Sequence, residues 1–122
     1  MNTDAVADWV DRYVAAWESN DPAAIGELFA ENATYRQRPD DDPWQGRVGI
    51  VAGWLENKDD PGDWTFRSEV LATAADLAFV RGWTHYTDTD PPTDYHNLWV
   101  LQFDDAGRCV DFTEWWMAPR EA

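Results

Sequence analysis

Tyr95–Met117 reads YHNLWVLQFDDAGRCVDFTEWWM and carries the clearest structural signal in the chain. Aromatic and β-branched residues fill both halves, and the four residues between them, Asp104–Gly107, are typical of a turn. The pattern predicts a β-hairpin whose arms are Tyr95–Phe103 and Arg108–Met117. The second half of the sequence is therefore expected to end in two long aromatic strands.

The register of this hairpin determines which side chains share a face. A turn that closes its first residue onto its fourth places Asn97 opposite Glu114 and Trp99 opposite Phe112. Because side chains alternate along a strand, all four then lie on one face. A carboxylate and an amide among large aromatic rings are unfavourable unless they are paired or used. Glu114 and Asn97 are therefore the first candidates for a functional site.

The sequence before the hairpin predicts three helices and three further strands. Apolar residues recur at helical spacing in a first helix, which starts at a Thr3 or Asp4 cap and ends near Asn20. Asp21-Pro22 begins a second helix with a buried face of Ile25, Leu28 and Phe29, and a third helix follows Gly46. The predicted strands are Ala33–Arg36, Trp64–Thr73 and Leu77–Tyr86. A polar loop, Gln37–Gln45, contains Trp44, which is expected to pack onto the open end of the domain.

This element order predicts an α+β fold with helices packed on one face of an antiparallel sheet. Both alternating faces of the last two strands are apolar, whereas a one-sided sheet has a polar outer face. Three helices are too few to cover both faces. The outer face is therefore expected to contact a second subunit, most simply in a two-fold homodimer.

Length and composition describe one folded domain spanning residues 1–122. An apolar content of 44% with nine tryptophans is ample for a hydrophobic core. The formal charge of −15 disfavours binding to nucleic acid or to an anionic membrane surface, since both require basic patches. The first interpretation of the acidic excess is that it provides solubility. An anionic substrate would also approach against this field, so a neutral or cationic small molecule is easier to admit.

Other classes of protein lack support in the sequence. The single Cys109 excludes an internal disulfide, and no secretory signal or long apolar span is visible, so a reducing cytoplasm is the expected location. His85 and His96 are cross-strand neighbours in the expected pairing, but two histidines without a third ligand give weak support for a metal site. No phosphate-binding Gly-rich loop or dinucleotide motif is present, so neither a metal nor a cofactor is expected.

Several motifs along the chain carry a family resemblance. The long first helix is followed by Asp21-Pro22, by LFAENA at Leu28–Ala33 and by PWQG at Pro43–Gly46, and the DDAGR turn leads into the aromatic last strand. In this order the chain resembles the SnoaL-like group of the nuclear transport factor 2-like superfamily. The resemblance spans the full length, so it is specific for the fold.

The resemblance implies a cone-shaped α+β barrel. Three N-terminal helices would pack on a strongly curved, mostly antiparallel sheet around an internal pocket, and sheet-backed dimers would be common. Relatives of this kind include polyketide cyclases, ketosteroid isomerases, scytalone dehydratase and limonene epoxide hydrolase, so the fold alone does not define a reaction. In SnoaL-like cyclases an acidic residue on the final strand acts as the base. Glu114 matches that position, with glutamate in place of aspartate.

Glu114 is the candidate general base or acid. Desolvation by neighbouring aromatic rings is expected to raise its pKa toward the working pH, so that it can remove a proton α to a carbonyl. The alternatives are a structural carboxylate paired with Arg36 or Arg81, or a residue at the rim of the pocket. Tyr35 and Tyr86 are candidate hydrogen-bond donors. Asn97 either positions the reacting groups or joins two strands as a satisfied amide.

Large rings are expected to form the walls of the pocket. If Tyr86 pairs with Tyr95, Thr84 lies beside Asn97, and Gly82 opposite Trp99 leaves room for a large ring. The predicted ligand-binding residues are Tyr86, Trp54, Trp99, Phe112 and Trp116. An apolar or aromatic molecule would fit such walls.

Three functions are consistent with this reading of the sequence. The first is a cofactor-independent isomerase, cyclase or dehydratase that acts on an apolar carbonyl compound with Glu114 as acid or base. The second is a non-catalytic protein that binds or senses an apolar ligand, which requires the aromatic walls but not the ionised acid. The third is an interaction domain whose main role is dimerisation.

Overall fold

The computed structural model describes residues 1–120 and contains three helices packed on one curled, six-stranded sheet. The helices are α1 (Thr3–Ser19), α2 (Pro22–Glu27) and α3 (Gly46–Glu56). The strands are β1 (Phe29–Arg36), β2 (Trp44–Gln45), β3 (Trp64–Ala74), β4 (Leu77–Tyr86), β5 (Thr93–Phe103) and β6 (Cys109–Met117). The predicted α+β fold is confirmed. No helix within residues 1–120 is long and apolar enough to cross a membrane.

Side-chain caps define the first two helices. The Asn2 side chain accepts a hydrogen bond from the Ala5 amide at 2.8 Å, so the cap of α1 is Asn2 and not the predicted Thr3 or Asp4. Asp21 caps α2 as expected, with Pro22 in the first turn. Asn20, between the two helices, adopts a left-handed conformation with φ of 52°.

Phe29 belongs to the sheet, whereas the sequence placed it on the buried face of the second helix. α2 ends after Glu27, because Leu28 forms its C-cap, and Phe29 is the first residue of β1. The side chain is fully buried in either assignment, which is why its apolar character alone did not locate the helix end.

The sheet has the strand order β2-β1-β6-β5-β4-β3. β1 is parallel to β6, and all other neighbouring strands are antiparallel, so the sheet is mixed but mostly antiparallel as predicted. β2 and β3 form its two edges, so the sheet curls without closing into a barrel. Its concave face and the helices enclose the core.

The register of the β5–β6 hairpin differs by two residues from the prediction. The turn closes one residue later than expected, since the Asp104 amide donates to the Arg108 carbonyl at 2.9 Å. A second single-residue shift follows beside Phe103, as in a β-bulge. Trp99 therefore lies opposite Glu114, and not opposite Phe112. Because the two shifts add to an even number, the side chains of Asp111–Met117 keep the face that the sequence predicted. Cys109 lies between the two shifts, so it faces Phe103 in the core and not the outer side.

The pairing of β4 with β5 is also shifted by two residues from the prediction. Tyr86 pairs with Thr93 and not with Tyr95, so Gly82 faces Asn97 and not Trp99. The space above Gly82 is filled by Phe66 of β3, whose ring would lie 2.5 Å from an added Cβ. Phe66 in turn stacks on Trp99 with ring centroids 5.2 Å apart. Gly82 thus makes room for the ring of Phe66 on β3, whereas the sequence predicted that it would make room for Trp99 on β5.

The two faces of the sheet differ in their contacts. The concave face packs against α1, where the indole of Trp9 is fully buried and donates to the Leu28 carbonyl at 3.0 Å. The convex face is exposed, and Leu98 of β5 pairs there with Trp115 of β6. Trp115 and Met117 are 43% and 70% exposed. The apolar outer face expected from the sequence is therefore present on the strands where it was predicted.

Candidate functional site

A cavity of about 520 Å³ opens between the helices and the concave face of the sheet. Aromatic side chains form much of its wall. Those from the first half of the chain are Tyr13, Trp17, Tyr35, Trp44 and Trp54, and those from the sheet strands are Tyr86, Tyr95, Trp99 and Trp116. Trp44 stacks on Tyr35 with ring centroids 4.9 Å apart, so the tryptophan of the polar loop does pack onto this open end. A hollow of this size and lining is suited to a small aromatic or apolar molecule.

Glu114 extends from β6 into this cavity. Its Oε2 atom accepts two hydrogen bonds, from Asn97 Nδ2 at 2.7 Å and from the Trp99 indole nitrogen at 2.9 Å. Its other oxygen, Oε1, has no hydrogen-bond partner within residues 1–120 and faces the cavity. Burial raises the pKa of this carboxyl group, and the two donors act in the opposite direction because they stabilise the charged form. One oxygen is thus held, and the other is available to a bound molecule.

Asn97 is itself oriented by a residue of the next strand. The Thr84 hydroxyl donates to Asn97 Oδ1 at 2.7 Å, which directs the amide nitrogen of Asn97 toward Glu114. Thr84 is only 3% exposed, so this chain of hydrogen bonds is anchored in the core at its Thr84 end. The position predicted for Thr84, beside Asn97, is reached diagonally in the observed register.

Tyr13 and Tyr35 form a second polar group in the cavity. Their hydroxyl oxygens lie 2.7 Å apart, so one hydroxyl donates to the other. The accepting hydroxyl keeps its own proton, which remains available to an acceptor in the cavity. Burial raises the pKa of Tyr35, and the charge of Glu114 raises it further; the pKa of Tyr13 is raised mainly by burial. Both phenols therefore stay protonated at neutral pH and act as donors.

Asp59 provides a second carboxylate at the cavity. Its Oδ2 atom accepts from the Trp17 indole nitrogen and from the Tyr86 hydroxyl, each at 3.1 Å. Burial raises the pKa of Tyr86, and the charge of Asp59 raises it further, so the phenol remains a donor. The Asn20 amide fixes the backbone carbonyl of Asp59 at 3.0 Å. The predicted donor Tyr86 is therefore committed to Asp59 and not to Glu114.

The structure brings seven of the eight predicted site residues to the cavity. They are Glu114, Tyr35, Asn97, Tyr86, Trp54, Trp99 and Trp116. Phe112 is the exception, since its ring lies one layer deeper and is fully buried. It stacks on Tyr35 with ring centroids 4.2 Å apart, so it supports the wall without lining it. In the observed register Phe112 faces Leu101, whereas Trp99 takes the place opposite Glu114.

Three polar residues of the site were not identified from the sequence. Tyr13 appeared only as one apolar position of the first helix, Asp59 as part of a helix stop, and Thr84 only as a neighbour of Asn97. A tyrosine on the buried face of an amphipathic helix requires a partner for its hydroxyl, and that requirement was the available signal for Tyr13. Asp59 gave no comparable signal, because aspartate beside Pro61-Gly62 is ordinary turn chemistry.

The predicted ion pairs of Glu114 with Arg36 or Arg81 are not formed. Arg81 forms its ion pair with Glu69, and Arg36 pairs in the β1–β6 ladder with Thr113, whose side chain lies on the other face from Glu114. Throughout the part of the chain that is described, Glu114 makes no ion pair. Its carboxylate is thus balanced by neutral N–H donors only.

The two histidines lie on the outer face and do not approach each other as cross-strand neighbours. His85 pairs with Asp94, whose carboxylate lies 2.5 Å from its ring nitrogen, and His96 pairs with Trp83. Among residues 1–120, no three His, Cys, Asp or Glu side chains are grouped to hold a metal ion.

Comparison with protein families gives one match over most of the chain. Residues 10–112 match the model of the SnoaL-like domain. The chain belongs to the SnoaL-like domain family. The resemblance carried by the PWQG and DDAGR motifs is thereby confirmed. No curated protein matches this SnoaL-like domain.

Two solved structures share the fold of this SnoaL-like domain. One is an NTF-2-like protein of unknown function from Burkholderia xenovorans LB400, with a TM-score of 0.75 and 15% sequence identity over 98% of this chain and 88% of the other. The second is a ketosteroid isomerase-like protein from Erwinia carotovora atroseptica SCRI1043, with a TM-score of 0.69 and 19% identity over 96% and 97% of the two chains. At these identities the similarity shows the fold and leaves the reaction open.

Proposed function

We propose that this SnoaL-like domain is a cofactor-independent enzyme that transfers a proton on an apolar carbonyl compound, as an isomerase, cyclase or dehydratase does. The observation that carries the proposal is the environment of Glu114. One carboxylate oxygen is fixed by Asn97 and Trp99, the other has no partner in the described residues, and aromatic side chains form much of the surrounding cavity wall. Burial raises the pKa of this group toward neutrality, where a general base is most effective.

The proposed step begins with Oε1 of Glu114. It removes a proton from the carbon α to the substrate carbonyl, and the electron pair of the broken C–H bond moves toward the carbonyl oxygen. In the Tyr13–Tyr35 pair, the hydroxyl that accepts within the pair donates a hydrogen bond to this oxygen and stabilises its developing negative charge. Glu114 then returns the proton to a different carbon, which completes an isomerisation without any external reactant.

The remaining polar residues would position the base. Asn97 and Trp99 hold Oε2, so the carboxylate cannot rotate freely and Oε1 stays directed into the cavity. Thr84 fixes the amide of Asn97 in the orientation that makes this possible. The pair of N–H donors also remains bonded in both protonation states of Glu114, which limits rearrangement during the proton transfer.

Hydrogen–deuterium exchange of an aromatic ketone tests the proposal without knowledge of the natural substrate. β-Tetralone carries acidic α-protons next to a fused ring, and their exchange in D₂O is followed by proton NMR. The wild-type protein is expected to accelerate this exchange, and Glu114→Gln should reduce the acceleration by about a hundredfold or more, because the variant keeps the shape and loses the base. Asp111→Asn is a matched control on the same strand, since Asp111 bonds Thr34 outside the cavity. Equal exchange in wild-type protein and Glu114→Gln would contradict the proposal.

The second candidate function is binding of an apolar ligand without catalysis. The observation in its favour is the extent of aromatic wall, including the stack of Phe66 on Trp99. In that case Glu114→Gln should leave the affinity for an aromatic ligand nearly unchanged, whereas Trp99→Ala should weaken it markedly. The exchange assay separates the two candidates, since a binding protein gives no acceleration.

The convex face of the sheet supports a further proposal, that two copies of the chain associate there as a homodimer. Leu98, Trp115 and Met117 lie together on adjacent strands of this face and are exposed. Burying the apolar side chains of such a patch away from water lowers the free energy of the protein, which favours association. A dimer would leave the cavity free, because the cavity opens on the opposite side of the sheet.

A further inference from the structure

The cavity contains two carboxylates that are held in the same way. In Glu114 and in Asp59, one oxygen accepts an indole N–H and one further donor, while the second oxygen has no hydrogen-bond partner in the described part of the chain. The proposed function uses only Glu114. Asp59 has no part in proton transfer there, and its open oxygen lies among the aromatic side chains of the cavity wall.

Both carboxylates are held by way of inward-facing residues of β4. Thr84 of β4 leads through Asn97 to Glu114, and Tyr86, the next inward position of β4, bonds Asp59. Glu114 and Asp59 both line the cavity. A molecule that extends along this wall therefore has a carboxylate to contact at more than one point.

The charges and the rings around Asp59 favour a cation. Four carboxylates contribute to the cavity lining, but only two basic side chains, Arg38 and Lys58, do so. Arg38 is already paired with Asp40 at 3.4 Å. Trp17 and Tyr86 donate to one oxygen of Asp59, which holds its negative charge at the cavity wall and leaves the other oxygen for an ammonium group. The charge of −15 on the whole chain adds a long-range attraction for cations.

We infer that Asp59, with Trp17 and Tyr86, forms a binding site for the ammonium group of an aromatic or apolar amine, whose uncharged part lies along the cavity toward Glu114. The inference deepens the proposed function, on which it rests for the use of this cavity, by naming the substrate class as amine-bearing carbonyl compounds. Asp59 is an anchor in this account and takes no proton from the substrate.

Three matched probes test the inference by isothermal titration calorimetry on the full chain: naphthylethylamine, the neutral naphthylethanol and the anionic naphthylacetate. At neutral pH the amine is protonated and is expected to bind about tenfold more tightly than the alcohol, given a typical ion-pair contribution. The acetate should bind most weakly, and added salt should reduce the preference for the amine. Equal affinities for the amine and the alcohol in the wild-type protein would overturn the inference, and this comparison does not depend on any variant.

Variants locate the site. Asp59→Asn keeps acceptor atoms for Trp17 and Tyr86 but removes the charge, so the preference for the amine should disappear while the alcohol still binds. Asp60→Asn, at the exposed neighbouring aspartate, changes the net charge equally and should retain the preference. If Asp59→Asn retained the preference for the amine over the alcohol, or if Glu114→Gln lost it, the assignment to Asp59 would be overturned. A wild-type protein that prefers the amine but exchanges no protons of β-tetralone would contradict the proposed function and leave the amine site intact.

Discussion

The indole nitrogen of Trp99 lies 2.9 Å from Oε2 of Glu114, directly across the ladder between β5 and β6. The indole N–H of a buried tryptophan usually finds a hydrogen-bond partner, and here that partner is a carboxylate. The same indole stacks on Phe66 and is 2% exposed, so it cannot move away from the carboxylate. Trp99 thus combines a wall of the cavity with a fixed donor for the candidate base.

The raised pKa of Glu114 predicts how stability depends on pH. Below the unfolded pKa of about 4.3 the group is neutral in both states, so its burial carries no charge penalty. As the pH rises through the folded pKa, the unfolded chain ionises first and the native state loses stability. The free energy of unfolding of Glu114→Gln should therefore increase relative to wild type between acidic and neutral pH.

Urea unfolding of the two proteins over this pH range measures the difference. Subtracting one curve from the other removes the contributions of all other titrating groups, since the remaining 23 acidic residues are common to both proteins. A difference that is independent of pH, or that changes in the opposite direction, would mean that Glu114 is not desolvated in solution.

Thr84 is predicted to be a positioning residue. Thr84→Val keeps the shape but removes the hydroxyl that orients Asn97, so the amide should hold Glu114 less firmly. Because the Asn97 hydrogen bond favours the ionised form of Glu114, its weakening should move the pH midpoint of proton exchange upward. The pH profile of β-tetralone exchange measures this shift. Thr84→Ser retains the hydroxyl and should restore the wild-type midpoint, whereas a purely structural role would alter the rate at all pH values equally.

Two glycines of α3 provide a matched pair for the cavity wall. A Cβ at Gly53 would lie 2.3 Å from the ring of Trp44, so Gly53→Ala should displace that ring and cost about 1–3 kcal/mol of stability. A Cβ at Gly49 would meet nothing within 4 Å, so Gly49→Ala should stabilise the helix by up to about 1 kcal/mol. Chemical denaturation measures both effects. If Gly53→Ala were as stable as Gly49→Ala, Trp44 would not be seated on α3.

The homodimer is tested by two adjacent tryptophans on opposite faces of β6. Trp115 on the convex face and Trp116 at the cavity are 43% and 42% exposed, so exposure alone does not distinguish them. Sedimentation analysis should show a dimer at micromolar concentration, which Trp115→Glu dissociates and Trp116→Glu leaves intact. A monomeric wild-type protein at that concentration would remove the proposal.

Most elements of the fold followed from the sequence because each has a local physical cause, whereas the short strand β2 lies in the segment that was predicted as a loop. Asp21-Pro22 starts α2, Gly46 begins α3, and alternation assigns faces to β4, β5 and β6. The same alternation correctly placed Glu114, Asn97 and Trp99 on the concave side. These features require only spacing along the chain, and the amino-acid sequence contains that information directly.

The residue pairings within the site could not be predicted from the sequence, because they depend on contacts between distant segments. The bulge beside Phe103 has no marker in the sequence that fixes its position, and it decides which residue faces Glu114. Asp59 meets Tyr86 only when the loop that follows α3 reaches the end of β4, so its role at the cavity cannot be seen in a turn motif. Phe112 was assigned to the pocket because alternation predicts the face of the sheet on which a side chain lies. Whether that side chain reaches the cavity or is covered depends on the rings packed over it, and Phe112 is covered by Tyr35.

The two single-residue offsets in the final hairpin limit how this loop can change in length. Removing or adding one residue between Phe103 and Cys109, if no other shift compensates for it, would change the register of β6 by one residue. Every side chain of β6 would then exchange faces, so Glu114 would point toward water and Trp115 toward the interior. Changes of two residues would preserve the orientation. Loop grafts intended to reshape this protein should therefore be made in even steps, and odd ones would invert the chemistry of both surfaces at once.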